Sequence, residues 1–174
     1  MRINVSQQLK ESIGSVRNCE VSECIDVAGS TGVIEGEVRL VRTDRGILAE
    51  GTLYTEVEVT CSRCLSLFRC PLALTIEEEY FPTIDIVSGN WLPRPDEPGS
   101  FTIDEHHILD LTEAIRQYAL LAIPMKPLCR EDCAGLCPYC GHNLNLGPCH
   151  CPSQAADPRW SQLIKLLNKQ KGTE

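Results

Sequence analysis

The sequence predicts an α+β fold: an antiparallel β-meander or partly closed barrel packed by one helix, with a cysteine-rich segment and a short terminal helix behind it. Three observations carry this expectation. Apolar residues recur at every second position in successive runs between residues 33 and 81, one apolar stripe at helical spacing stops against Pro124, and the cysteines crowd toward the last third of the chain.

The strands come first. In VIEGEVRLVRT, Val38 and Leu40 alternate with Glu37, Arg39 and Val41, and Thr43-Asp44-Arg45-Gly46 is a hairpin turn. The run ILAEGTLYTEVEVTC puts Leu53, Val57, Val59 and Cys61 on one face, with Thr52, Tyr54, Glu56, Glu58 and Thr60 on the other, as a half-buried antiparallel strand requires. The chain returns with Phe68, Cys70, Leu72, Leu74 and Ile76 in period two, so CSRCLS is the tip of a second hairpin. Ile3 to Leu9 reads as a short strand leading into polar sequence with no assignable pattern. The acidic run Glu77-Glu78-Glu79 reads as a solvated strand end.

Residues 82–100 are rich in proline and acids and read as a flexible loop. Asp110 is the expected cap of a helix, with Glu113 completing an acidic version of the capping box. Leu111, Ala114, Ile115, Tyr118, Leu121 and Ala122 fall on one stripe that packs on the sheet, and Pro124 ends the helix at Ile123 because it disfavours helical geometry in the residue before it. Asp157-Pro158 opens a second helix whose stripe is Trp160, Leu163, Ile164 and Leu167, with Lys165 and Lys169 on its polar side. The expected organisation is a core domain 1–124, a cysteine-rich segment 125–156, and an amphipathic helix and tail 157–174.

Composition sets the compartment. The chain has 174 residues, 43% hydrophobic and 23% charged, with no apolar run long enough for a membrane span and no secretory leader at its start. The cytoplasm is the expected location. Eleven cysteines in a reducing compartment are thiols, and an odd number cannot all pair. Closely spaced thiols in that setting point to a soft divalent ion, zinc first.

CPYCG presents Cys137 and Cys140 on one tight turn, where proline fixes the approach and Gly141 supplies backbone freedom after the second ligand. Cys149 and Cys151 complete a four-sulfur site if Gly147-Pro148 begins an irregular turn, since strand alternation would throw the two sulfurs apart. His142 or His150 is the alternative to one sulfur. Cys61 with Cys64, and Cys129 with Cys133, each supply half a site. If the helix exit reaches the hairpin tip, these four close a second site; otherwise one zinc takes four of the six downstream cysteines and CSRC only lines the sheet. Cys19, Cys24 and Cys70 are left as buried hydrophobes or incidental surface thiols.

The function classes narrow accordingly. HExxH, GxSxG, P-loop and dinucleotide-binding motifs are absent from the sequence. Four sulfurs close a metal site, so a structural ion and no enzyme is the expectation, with no small-molecule substrate. A thiol–disulfide oxidoreductase is the rival, but it wants a Cys-x-x-Cys at the N-terminus of a helix. The net charge is −8, and each tetrathiolate site makes it two units more negative. Broad phosphate-backbone binding is therefore weak, a basic protein is the easier partner, and RNA contact needs a local patch such as Lys126, Arg130, Lys165 and Lys169.

The succession VTCSRCLSLFRCPLALTIEEEYF, IDEHHILDLTEAIRQYALLAIPMKPLCREDCAGLCPYCGHNLNLGPCHC and DPRW resembles the bacterial YceD family over about Gly36 to Leu167. The resemblance implies a part in synthesis, processing or stability of 23S ribosomal RNA and in accumulation of the large ribosomal subunit, with no assigned catalytic residue. The expected partner is a ribosomal RNA precursor or a basic large-subunit ribosomal protein; in the latter case the chain is itself a zinc-dependent adaptor with Trp160–Leu167 as its contact surface. The resemblance also carries metal ligation onto Cys61, Cys64, Cys129, Cys133, Cys137, Cys140, Cys149 and Cys151.

Overall fold

The computed structural model describes residues 1–27, 29–93 and 99–151. The elements are β1 (Arg2–Asn4), a 3-10 turn (Gln8–Lys10), β2 (Val16–Val27), β3 (Ser30–Arg42), β4 (Ile47–Thr60), β5 (Leu67–Pro82), β6 (Phe101–Ile103), β7 (Ile108–Asp110) and α1 (Thr112–Ala122). Five strands form one sheet in the order β2-β3-β4-β5-β6, antiparallel except where β6 joins β5 in parallel, and β1 pairs antiparallel with β7. The chain divides into two compact units, Met1–Cys133 and Ala134–Glu174. Among the described residues no helix is long and apolar enough to cross a membrane.

The period-two runs become the long central strands. Leu53 and Val57 of β4 and Leu72, Leu74 and Ile76 of β5 are buried, while Tyr54, Glu56, Ala73 and Thr75 between them are exposed. The register pairs Leu53 with Leu74 and Val57 with Cys70, so apolar side chains meet across the strands on one face. The hairpin turn also stands as expected: the Thr43 amide donates to the Gly46 carbonyl at 3.0 Å, and the Gly46 amide to the Thr43 hydroxyl at 2.8 Å.

The sheet is open, which corrects the barrel option. α1 packs on the inner face against β5 and β2, and the helix takes up the apolar surface that closure would otherwise have buried. The strand β2 has no counterpart in the sequence reading. Of its residues only Val21, Ile25 and Val27 are buried, so its apolar pattern is too sparse to announce a strand.

α1 ends as Pro124 demands, with Ile123 extended at φ −63°, ψ 123°. Its start is shifted. Leu111 occupies the cap position, the Asp110 carboxylate accepts from the Thr112 amide at 3.0 Å, and Glu113 turns away to pair with Arg116 at 2.9 Å, so no reciprocal capping box forms. Leu111, Ala114, Ile115 and Ala119 are buried, but Leu121 is 83% exposed. The stripe runs through Ala119, and Leu121 lies off its edge. The acidic strand end is tied down in part: Glu79 pairs with Arg45 at 3.0 Å, and the Tyr118 hydroxyl donates to the Glu77 carbonyl at 3.1 Å. Within the 82–100 loop, Ile84 and Trp91 form an isolated antiparallel bridge around a turn in which the Asp85 carboxylate accepts from the Ser88 amide. The expected helix from Asp157 lies outside the described residues.

Candidate metal centres

Both cysteine groups begin with a turn that folds back on itself. In the first, β4 delivers Cys61 and β5 resumes at Leu67. The Leu65 amide donates to the Cys61 carbonyl at 3.0 Å and the Cys61 amide to the Ser66 carbonyl at 2.9 Å. These bonds leave the amides of Arg63 and Cys64 directed at the Cys61 sulfur.

The segment after α1 supplies the other half. Pro124 stops the helix, and the Ser62 amide donates to the Pro127 carbonyl at 2.8 Å, which clasps the incoming chain to the hairpin tip. The Arg63 guanidinium donates to the Cys133 carbonyl at 3.0 Å and adds a second clasp. As a result Cys61 and Cys133 bring their sulfurs to 3.8 Å, Cys64 and Cys129 theirs to 3.6 Å, and all four lie within 4.8 Å of one another. Cys61, Cys64 and Cys133 are buried.

The second group lies in the other unit. Leu136 bridges Asn143, the Gly141 amide donates to the Cys137 carbonyl at 2.9 Å, and the Cys137 amide donates to the His142 carbonyl at 2.8 Å. The loop is braced by its own asparagines: the Asn145 side chain accepts from the Ala134 amide at 2.8 Å and donates to the Asn143 side chain at 2.8 Å. Gly147 adopts φ 142°, and residues 147–151 follow no strand, so Cys149 and Cys151 are not thrown to opposite sides. Their sulfurs stand 3.4 Å and 3.9 Å from that of Cys137, and the four thiols again lie within 4.8 Å.

A tetrahedral ion with sulfur ligands at about 2.3 Å sets its ligands about 3.8 Å apart along each edge. The observed separations of 3.4 to 3.9 Å match that figure. Protonation leads to the same chemistry. Amides of Cys64, Cys129 and Arg63 bring Cys61 down to about 6, and the Ser66 hydroxyl and amide lower Cys64. Burial and the neighbouring sulfurs push Cys129 up to about 12. In the second group the amides of Cys140 and Tyr139 bring Cys137 down to about 6, while Cys151 is pushed up to about 12 by Cys140 and by burial. Four thiolates so close repel one another, and a metal cation bound among them would favour their ionised form.

Eight sequence-selected cysteines therefore meet in two sets of four, each able to hold one metal ion. The residues that clasp the first set, Ser62, Arg63, Ser66 and Pro127, carried no sequence signal. His142 and His150 are exposed and belong to neither set. Cys70 is buried in the core, Cys19 is half-buried against it, and Cys24 is exposed.

The family model described as "Large ribosomal RNA subunit accumulation protein YceD" matches residues 49–167, a stretch that contains both cysteine sets. The chain belongs to the YceD family. It is also similar to uncharacterized proteins of Mycobacterium bovis and Mycobacterium tuberculosis, 33% identical over 141 residues, which cover 81% of this chain and 65% of theirs. An uncharacterized protein of Mycobacterium leprae is 26% identical over 132 residues, 75% of this chain and 58% of that one. The chain thus spans less than two thirds of the length of these relatives. No solved structure matches it.

Proposed function

We propose that this YceD-family chain is a non-enzymatic, cytoplasmic factor in synthesis, processing or stability of 23S ribosomal RNA and so in accumulation of the large ribosomal subunit, with a structural zinc in each cysteine set. The observation that carries the reading is the family match across residues 49–167, which spans both sets. Four thiolates around one zinc leave no open coordination position for substrate or water, which supports a scaffold more than a catalyst. Neither Cys-x-x-Cys stands at the start of a helix, as a dithiol oxidoreductase would want. Depletion of the protein in the bacterium that encodes it is expected to lower mature 23S RNA and free large subunits while 16S RNA holds. Unchanged 23S precursor and mature levels would defeat the proposal.

A second reading, an adaptor for a basic ribosomal protein, is favoured by the outer face of the sheet. There a hollow of about 930 Å³ and another of about 490 Å³ share Tyr54 in their walls. Glu35, Glu56, Glu58 and Arg69 line the first, and Glu37, Glu50 and Arg39 the second. Arg39 pairs with Glu50 at 2.9 Å and Arg69 with Glu56 at 4.0 Å, so the acids outnumber the bases in each, and Tyr54 is 60% exposed between them. An acidic trough with an exposed ring suits an extended lysine- and arginine-rich segment. In-cell cross-linking separates the two readings: protein cross-links at Tyr54 support the adaptor, and RNA cross-links without protein exclude it.

A further inference from the structure

The two cysteine sets differ in how they are closed. In the first, three thiols are buried and two clasps, Ser62 to Pro127 and Arg63 to Cys133, hold the ligand segments together without a metal. In the second, Cys137 is buried but Cys140 is exposed, beside a Tyr139 that is 56% exposed. Among the described residues no backbone hydrogen bond joins 147–151 to the Cys137–Gly141 turn. Among the described residues Cys149 and Cys151 meet that turn through their sulfurs, 3.4 Å and 3.9 Å from that of Cys137, contacts that a shared ion would reinforce.

We propose that Cys140 is a site of oxidation by hydrogen peroxide, and that its oxidation expels the metal from the second set while the first keeps its own. This rests on the metal reading above. Zinc itself takes no part in electron transfer; the sulfurs are what is oxidised. The exposed Cys140 thiolate attacks one peroxide oxygen, the O–O bond breaks, and the leaving hydroxide takes a proton to become water, which leaves a sulfenic acid. A second thiolate of the set, within 4.8 Å, attacks that sulfur. The S–S bond forms as the S–O bond breaks, and the departing hydroxide is protonated to a second water. Two thiolates, one peroxide and two protons give one disulfide and two waters. Two sulfurs of the set would then remain, too few to hold the ion, which would be released as the aquated dication. A small thiol in excess reverses the step by exchange, being oxidised to its own disulfide.

The test uses the full chain loaded with zinc under reducing conditions, freed of reductant, and treated with hydrogen peroxide in the presence of a chromogenic zinc indicator. About one equivalent is expected to leave at least about ten times faster than the other, because thiolate oxidation follows exposure. Peptide mapping should place the new disulfide on Cys140 with Cys137, Cys149 or Cys151. Rates of alkylation of the zinc-loaded chain give a readout that needs no variant: Cys140 should label ahead of Cys61, Cys64 and Cys133. Equal release of both equivalents, or first oxidation within the Cys61 set, would overturn this inference and leave the metal reading standing. A reduced chain that binds no zinc would overturn both.

Discussion

Leu65 and Gly141 occupy the same place in two separate turns. Each follows the second cysteine of a Cys-x-x-Cys, each has a left-handed backbone at φ 57° and 70°, and each donates its amide to the carbonyl of the first cysteine. Glycine enters that region freely, whereas a residue with a Cβ is disfavoured there by roughly 1–2 kcal/mol, offset by about 0.5–1 kcal/mol of lost backbone freedom when glycine is ordered. The Leu65 side chain is 63% exposed, so little packing is lost with it. Leu65→Gly is expected to raise stability by about 0.5–1 kcal/mol and Gly141→Ala to lower that of its turn by about 1 kcal/mol. Urea unfolding reads the first and zinc affinity the second; a destabilised Leu65→Gly would refute the equivalence.

The helix offers a paired test. Ile115 is 1% exposed in the core and Leu121 is 83% exposed on the same helix. Ile115→Ala removes buried methylenes and leaves a cavity, so it should destabilise by about 2–5 kcal/mol, and Leu121→Ala should change stability by less than about 0.5 kcal/mol. Chemical denaturation of both variants decides, and a large loss at Leu121 would mean that the sequence-predicted stripe was right.

What the sequence disclosed followed burial. β4 and β5 were legible because one face of each is mostly apolar, and α1 because Pro124 marks its end. β2 was not, since Val16, Arg17 and Asn18 are exposed on both faces and the strand is held by pairing with β3, a long-range relation. Leu121 was assigned to the stripe because it sits three residues beyond Tyr118, yet the helix meets the sheet along a line through Ala119. The eight candidate ligands were legible as thiols, but their pairing was not. What joins Cys61 and Cys64 to Cys129 and Cys133 is a pair of bonds to backbone carbonyls, Ser62 to Pro127 and Arg63 to Cys133, whose donors Ser62 and Arg63 have no signature of their own.

Metal affinity should rise with pH, more steeply in acid. Every bound sulfur is a thiolate, so binding expels whatever protons the metal-free thiols hold. Cys129 and Cys151, pushed up to about 12, each hold a proton throughout the neutral range and contribute to the slope at every pH below that value. Cys61 and Cys137, brought down to about 6, are already ionised at neutral pH and add to the slope only below about 6. Competition with a chelator between pH 5 and pH 8 is expected to show log affinity climbing with pH and its slope increasing on the acid side of about 6. An affinity flat in pH would contradict the thiolate assignment.

Stoichiometry and proteolysis test the two sets separately. A reduced chain should carry about two zinc ions, and Cys61→Ser or Cys137→Ser about one each, because the sets belong to different compact units. The consequences for folding should differ. The first unit has its own core around Leu53, Leu74 and Ile115, which keeps the sheet paired when the hairpin tip loses its ion. Among the described residues of the second, only Gly135 and Cys137 are buried, too little apolar surface to hold the chain without a metal. Cys137→Ser should therefore be cut by protease within residues 134–151 while Cys61→Ser resists there, and both should keep the strand signal in circular dichroism. If both variants still bind about two ions, or if the chelated wild type resists cleavage across 134–151, these thiols do not hold that segment through a metal.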